Sequence, residues 1–555
     1  MDRRSFLLNR KPVAAAVERA PAGLRGITTG IAPYAGPWTR AEVAHLLKRT
    51  MFGAKKADID FFLTLSPGQA IDTLLTISPA PAPPVKTYDN TGIAAGDPEQ
   101  GIASGSTWVD VPTKDEEANE KRVIAWKSWW IGQMINQNRS ITEKLVLFWH
   151  HHFATEASMY RNGISAYRHY QLLHAQALGN FKQLVRAVTL DLAMLRYLNG
   201  YLNRKEAPDE NYGRELQELF TLGKENNPNY TEPDVLAAAR VLTGWTIDLE
   251  TETVQFDPER HDTTSKSFST FYGTTIAGRS DATAGDVELD ELLNMIFNKQ
   301  REVSEFIVRK LYRWFCYYII DPVTETNVIK PLAQLFVSSN WDIKPVLATL
   351  FKSEHFFDVL NQGCLIKSPI DHTVGLCREF NVQFPADAAD TYNMWSFIMD
   401  QSGNMGMNIG DPPGVSGWPA YYQLPQFHEM WINSDTLPKR NMFTDLLIVV
   451  GYMRDDVSIQ VNPVAFAKTL SNPSDPNILI NDSLDILYRV PLSEVSKQTL
   501  KKQILLTNQD QDYYWTTAWT KHINNPGDDA AYQVVLMRLT SLYKYLMNLA
   551  EYQLS

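Results

Sequence analysis

Residues 114–136, KDEEANEKRVIAWKSWWIGQMIN, decide the fold class. Val123, Trp126, Trp130 and Met134 recur at intervals of three and four, which places them along one stripe of an α-helix and on no single face of a strand. The pattern spreads in both directions. Upstream, Thr39-Arg40-Ala41-Glu42 is a capping box followed by Val43, Leu46 and Leu47 at helical spacing. Short helices are expected over residues 57–65 and 70–75, parted by Ser66-Pro67-Gly68. Downstream, Ser140-Ile141-Thr142-Glu143 reads as a second capping box opening the helix that carries Trp149-His150-His151-His152-Phe153. Helical periodicity recurs over 180–198, 210–222, 233–242, 288–298, 302–318, 330–337 and 343–351. Ser368-Pro369-Ile370-Asp371 starts another helix, and Tyr532, Val535, Leu536, Leu539, Leu542, Tyr543 and Leu546 mark a final one.

The expectation is an all-α, multi-helix globular array with one small β-hairpin. The hairpin falls where Thr, Val and Ile alternate with charged residues between Trp245 and Phe256. Four prolines between Pro79 and Pro84 and a Gly-rich run to Pro112 make a long loop. The organisation expected is a tail over 1–37, a helical core over 38–424 containing the loop 78–113 and the hairpin region 245–273, and a helical extension over 425–555 packed on the core.

Composition narrows the function. With 555 residues, 44% of them hydrophobic, the chain buries a large core. A net charge of -11 disfavours nucleic acid, whose binding draws on clustered Lys and Arg. No apolar run approaches the ~20 residues a membrane span needs. Cys316, Cys364 and Cys377 form no C-x-x-C pair, so neither a disulfide framework nor a thiolate zinc site is indicated. Arg3-Arg4-Ser5-Phe6-Leu7-Leu8 looks like a twin-arginine export signal, but Asn9, Arg10, Lys11, Glu18, Arg19 and Arg25 keep the following segment polar. The balance favours a cytoplasmic protein, with periplasmic export by the twin-arginine route as the alternative.

Four clusters are candidates for chemistry. Three adjacent imidazoles, in a chain with 11 histidines, invite a metal. In a regular helix His150 and His152 point about 200° apart, so they share an ion only where the helix ends. The alternative for His152 is a hydrogen-bonded core histidine. Between Asp209 and Phe220, Asn211, Glu215 and Glu218 form a polar stripe, with Arg214 placed to pair with Glu210 and Glu218. Helix bundles mount carboxylate metal sites on such spacing, with histidines from a facing helix, although a solvated face fits it as well. His261-Asp262, with Lys266 beyond, is an acid/base dyad or a local turn contact. Asp411-Pro412-Pro413-Gly414-Val415-Ser416-Gly417-Trp418-Pro419 and Trp431 form a rigid loop. Its indoles either face a sugar or other planar ligand or plug the core. Trp245, at the hairpin's start, joins Asn211, Arg214, Lys266, Trp418 and Trp431 as a candidate ligand contact.

These elements, in this order, resemble the bacterial family catalogued as domain of unknown function eighteen hundred, whose members carry Trp-His-x-His-Phe and Asn-Glu-Asn-Phe-x-Arg-Glu-Leu-x-Glu-Leu-Phe. The resemblance extends through His45-Leu46-Leu47-Lys48-Arg49, Phe52-Gly53, Ala177-Leu178-Gly179-Asn180-Phe181, Leu242-Thr243-Gly244-Trp245, Lys367-Ser368-Pro369 and Val415-Ser416-Gly417-Trp418-Pro419. Asp209 stands where the family pattern has Asn, and His151 where Asn is usual, which makes His151 the least favoured ligand. The resemblance implies a bacterial origin, frequent export and a sulfatase-like partner encoded nearby, and no established reaction.

The favoured expectation is a metal-dependent hydrolase. A divalent transition metal is held by His150, His152, Glu215 and Glu218, with Glu215, His261 and Asp262 in the chemistry. The alternative is a non-catalytic binding or assembly protein whose polar groups form a buried network. A helical phosphohydrolase using His261 and Asp262 is a third reading.

Overall fold

The structure, a computed structural model, describes residues 26–224 and 229–555. The paired arginines lie outside the described residues. Helices dominate, and the strands among the described residues form three two-stranded antiparallel hairpins. The expected hairpin pairs β1 (Trp245–Asp248) with β2 (Thr253–Phe256), Trp245 opposite Phe256. Two shorter ones, at 266–267/275–276 and 452–454/457–459, carried no readable alternation. No described helix is long and apolar enough to cross a membrane.

The capping boxes diverge in an informative way. Helix α1 (Arg40–Thr50) starts on the Thr39/Glu42 box as expected. Helix α2 (Glu116–Asn136) carries the tryptophan stripe. Helix α3 (Thr142–His152) has no such box. The Ser140 hydroxyl accepts the Thr142 N–H, but Glu143 turns inward, where Trp130 Nε1–H (3.2 Å) and the Tyr170 hydroxyl (2.6 Å) donate to its two oxygens. Burial raises the Glu143 pKa to about 7, against the lowering effect of those donors.

The helix expected over 180–198 is two, Phe181–Thr189 and Leu192–Tyr197. Asp191 breaks the run by capping the Met194 N–H and binding His169 Nδ1. Helix α4 (Glu210–Glu215) passes into a π-turn over Leu216–Thr221, with Thr221 Oγ1 donating to the Leu216 carbonyl. The inserted residue alters the register of the polar stripe read from a regular helix. Helix α5 (Gln300–Phe315) carries Phe306, Lys310, Arg313 and Trp314 at i, i+4, i+7 and i+8. Helix α6 (Pro369–Glu379) is capped by Ser368 as expected.

The 17-residue helix α7 (Ala388–Asn404), absent from the sequence expectation, packs along α2. It buries Tyr392, Met394, Phe397, Ile398 and Met399. Helix α8 (Thr436–Val449) receives the terminal helix α9 (Asp529–Met547). One buried apolar cluster runs from Val43 to Tyr552 and takes in most of these elements.

Candidate functional site

The histidine run closes α3, and its three imidazoles go to three different environments. His150 is buried against the rings of Trp130, His169 and Trp418, at centroid distances of 5.3, 5.8 and 5.9 Å. Among the described residues neither of its nitrogens has a hydrogen-bond partner. Burial first, then the neighbouring His169, holds its pKa well below the usual imidazole value. His152 uses both nitrogens: Nε2–H donates to the Phe220 carbonyl at 3.1 Å, and Nδ1 accepts from Lys310 Nζ at 3.0 Å. It is therefore a neutral ring pinning α3 to the π-turn and to α5.

The anticipated metal constellation does not assemble. Glu218 is committed to Lys224 at 2.7 Å. Glu215 is half-buried, and burial and then Glu218 raise its pKa. His261 lies elsewhere, with Nδ1–H donating to the Thr243 carbonyl at 2.8 Å and Nε2 3.3 Å from Glu288. Among the described residues no group of three or more His, Cys, Asp or Glu could hold a metal ion. The donors are occupied or apart, so the residues present do not fit the group.

The remaining candidates lie in separate places. Asp262 accepts from Arg240 Nε at 2.7 Å, away from His261, so the two side chains form no acid/base dyad. Lys266 is fully buried and meets Glu288 at 2.5 Å. Burial alone would raise the Glu288 pKa, and the neighbouring His261 and Lys266 outweigh it and lower it. Arg214 pairs with Glu210 and Glu232, not with Glu218. Asn211 is exposed. Trp245 packs in a small cluster with Leu192, Leu195 and Ile247. Trp418 and Trp431 are buried, so the indoles offer no open face to a sugar.

What the chain does build is a cavity of about 190 Å³ beside His151. Phe148 and His151 of α3, Phe306, Lys310, Arg313 and Trp314 of α5, and Tyr421 and Tyr422 of the Pro/Gly loop line it, with Glu218 and Lys224 at the π-turn side. His151 stacks between Trp314 (5.7 Å) and Trp418 (6.1 Å). The Trp418 backbone N–H donates to His151 Nδ1 at 3.1 Å. Burial and then Lys310 lower the His151 pKa, so the ring is neutral, and Nε2 carries its proton.

Gly417 makes this seat possible. Its φ is +82°, and a Cβ there would lie 2.1 Å from His151 Nδ1. That close approach explains the Val415-Ser416-Gly417-Trp418 element, and the whole arrangement unites stretches far apart in the chain. Its elements are those of a known family. The chain belongs to the family described as protein of unknown function (DUF1800). The family model matches residues 45–554. No curated protein and no solved structure matches the chain.

His151, the least favoured imidazole in the sequence, is thus the one at a cavity, while the family-like His150 and His152 are internal. Lys310, Trp314 and Tyr421 were missed altogether. The i, i+4, i+8 spacing of Phe306, Lys310 and Trp314 was the available signal, but nothing in sequence showed which face of α5 stayed uncovered.

Proposed function

We propose that this DUF1800 protein is a non-catalytic binding protein that takes a small amphipathic anion, an aromatic or alicyclic body bearing a carboxylate, sulfonate or phosphate, in the cavity beside His151. One observation carries the reading: a cavity walled by Phe148, Phe306, Trp314, Tyr421 and Tyr422 also has Lys224, Lys310, Arg313 and Glu218 in its lining. Apolar walls with a few convergent polar groups are the usual make-up of a small-molecule site. At about 190 Å³ it is smaller than the roughly 300–1,000 Å³ of a drug-sized site, which restricts the ligand to one or two rings. The polar groups first read as metal ligands belong, in this account, to the buried network that fixes helix packing.

The test is calorimetric titration of the full chain with 1-naphthalenesulfonate, naphthalene-1-methanol and 1-naphthylmethylammonium. The expected result is saturable one-to-one binding of the sulfonate, at least tenfold tighter than the other two, and lost in Tyr422→Ala and Lys310→Met. Equal affinity for all three, or retention in folded variants, overturns it. A sulfatase-like partner and twin-arginine export, both raised by the sequence, are separate proposals, tested by co-purification and by cell fractionation.

A further inference from the structure

A second, smaller cavity of about 40 Å³ lies behind Trp314 and Tyr421. It differs sharply from the first, because its walls gather Lys48 and Arg49 from the end of α1, Lys144 from α3, His428, and Ser368 and Asp371 at the start of α6. Lys48 pairs with Glu379, and Lys144 with Asp371, whose other oxygen accepts from the Ser368 hydroxyl at 2.8 Å. Both Asp371 oxygens are thereby used, while Glu379 Oε2 stays without a hydrogen-bond partner among the described residues.

Among the described residues three further buried cations nearby make their direct contacts to neutral groups, with Asp371 acting on Lys367 and Arg440, and Glu379 on Lys367, at longer range. Arg49 Nη2 donates to the Asn361 carbonyl (3.0 Å) and Cys364 Sγ (3.1 Å). Arg440 donates to the Lys367 carbonyl (2.8 Å) and Gln553 Oε1 (3.3 Å). Lys367 Nζ sits over the Tyr552 ring at 3.8 Å. Buried positive charge in excess of the nearby carboxylates is costly unless an anion supplies the balance.

Two donors at the cavity wall have nothing to give to. Arg49 is 3% exposed, and its Nε has no hydrogen-bond partner. His428 Nδ1 accepts the Ile366 N–H at 3.1 Å, which in the neutral ring puts the proton on Nε2, and that buried nitrogen also lacks a partner. Both side chains line the same cavity, and an acceptor is what each lacks.

The geometry points to a binding site for one tetrahedral oxyanion, phosphate or sulfate, free or as the end group of a larger molecule, held by Arg49 and His428 with Lys48 and Lys144 behind them. Guanidinium and ammonium groups together suit such an anion, the first by directed N–H donors and the second as a point charge. A cavity of this size takes a few waters or one small anion and no organic body. The site goes beyond the amphipathic-ligand reading and stands without it.

Calorimetry of the full chain in chloride buffer, at matched ionic strength, tests it with sodium phosphate, sodium sulfate, phenyl phosphate and sodium acetate. Saturable one-to-one binding of phosphate or sulfate, at least tenfold tighter than acetate, is expected. Loss of tenfold or more is expected in His428→Ala and Arg49→Gln, with Tyr422→Ala, which touches only the larger cavity, leaving affinity unchanged. In Tyr422→Ala, where the larger cavity no longer takes an aromatic anion, phenyl phosphate binding more tightly than phosphate would identify an end group as the natural occupant, and the reverse a free ion. Absence of saturable binding in the wild-type chain, or equal heats for acetate, overturns the site. So does unaltered affinity in folded His428→Ala, which keeps the test decisive even where Arg49→Gln fails to fold.

Discussion

Replacing Glu143 by Gln should make the protein more stable at pH 8 and leave it nearly unchanged at pH 5. Glu143 is 6% exposed, has no cationic partner among its contacts, and is moved from 4.5 to about 7. A folded-state carboxyl pKa above the unfolded one means that the folded protein binds the proton more tightly. Its contribution to stability is therefore fully present below pH ~4.5 and is lost as pH rises to ~7. At about 1.4 kcal/mol per pH unit, the full span is about 3 kcal/mol.

Gln preserves the contacts, because its carbonyl accepts from Trp130 while its amide donates to the Tyr170 oxygen, a hydroxyl that acts either way. The variant thus keeps the neutral geometry at every pH. Urea unfolding of wild type and Glu143→Gln at pH 5, 6, 7 and 8 should show a stability difference growing toward the variant by about 2–3 kcal/mol across the range. Other titrating groups cancel in that difference. A flat difference between the two proteins would refute the argument that Glu143 is neutral in the fold.

Gly417→Ala should cost about 3 kcal/mol or more, since the new methyl meets His151 and the residue holds φ +82°; a thermal melt close to wild type would disprove the clamp. Glu288→Gln leaves Lys266 buried without its counter-charge and should destabilise by about 3–5 kcal/mol in urea titration. Arg214→Ala, by contrast, removes only partly exposed ion pairs, so a loss below about 1 kcal/mol is expected by the same assay. Larger loss in that variant would show that Arg214 carries more than surface pairing.

The helical class and a number of helix starts were legible because they rest on local spacing and caps, as at Thr39/Glu42 and Ser368, while the starts at Gly163, Ala388, Thr436, Pro476 and Tyr513 were not. Where a side chain had two uses, local rules failed. Glu143 left its capping position for Trp130 and Tyr170, and Asp191 cut one expected helix into two to hold His169. The π-turn at Leu216–Thr221 likewise altered the register of the Glu215/Glu218 stripe.

The candidate site was less legible still. The sequence by itself determined that polar residues sit among Trp, Phe and Leu at particular places, since composition and period are properties of neighbouring residues. Only the tertiary structure decided their partners. His152 goes to Phe220 and Lys310, His261 to Thr243 and Glu288, and His151 to a cavity wall set by Trp314 and the 416–422 loop. Hydrogen bonding and charge pairing are settled by distances of about 3 Å between residues far apart in the chain. No periodicity within a helix specifies those distances.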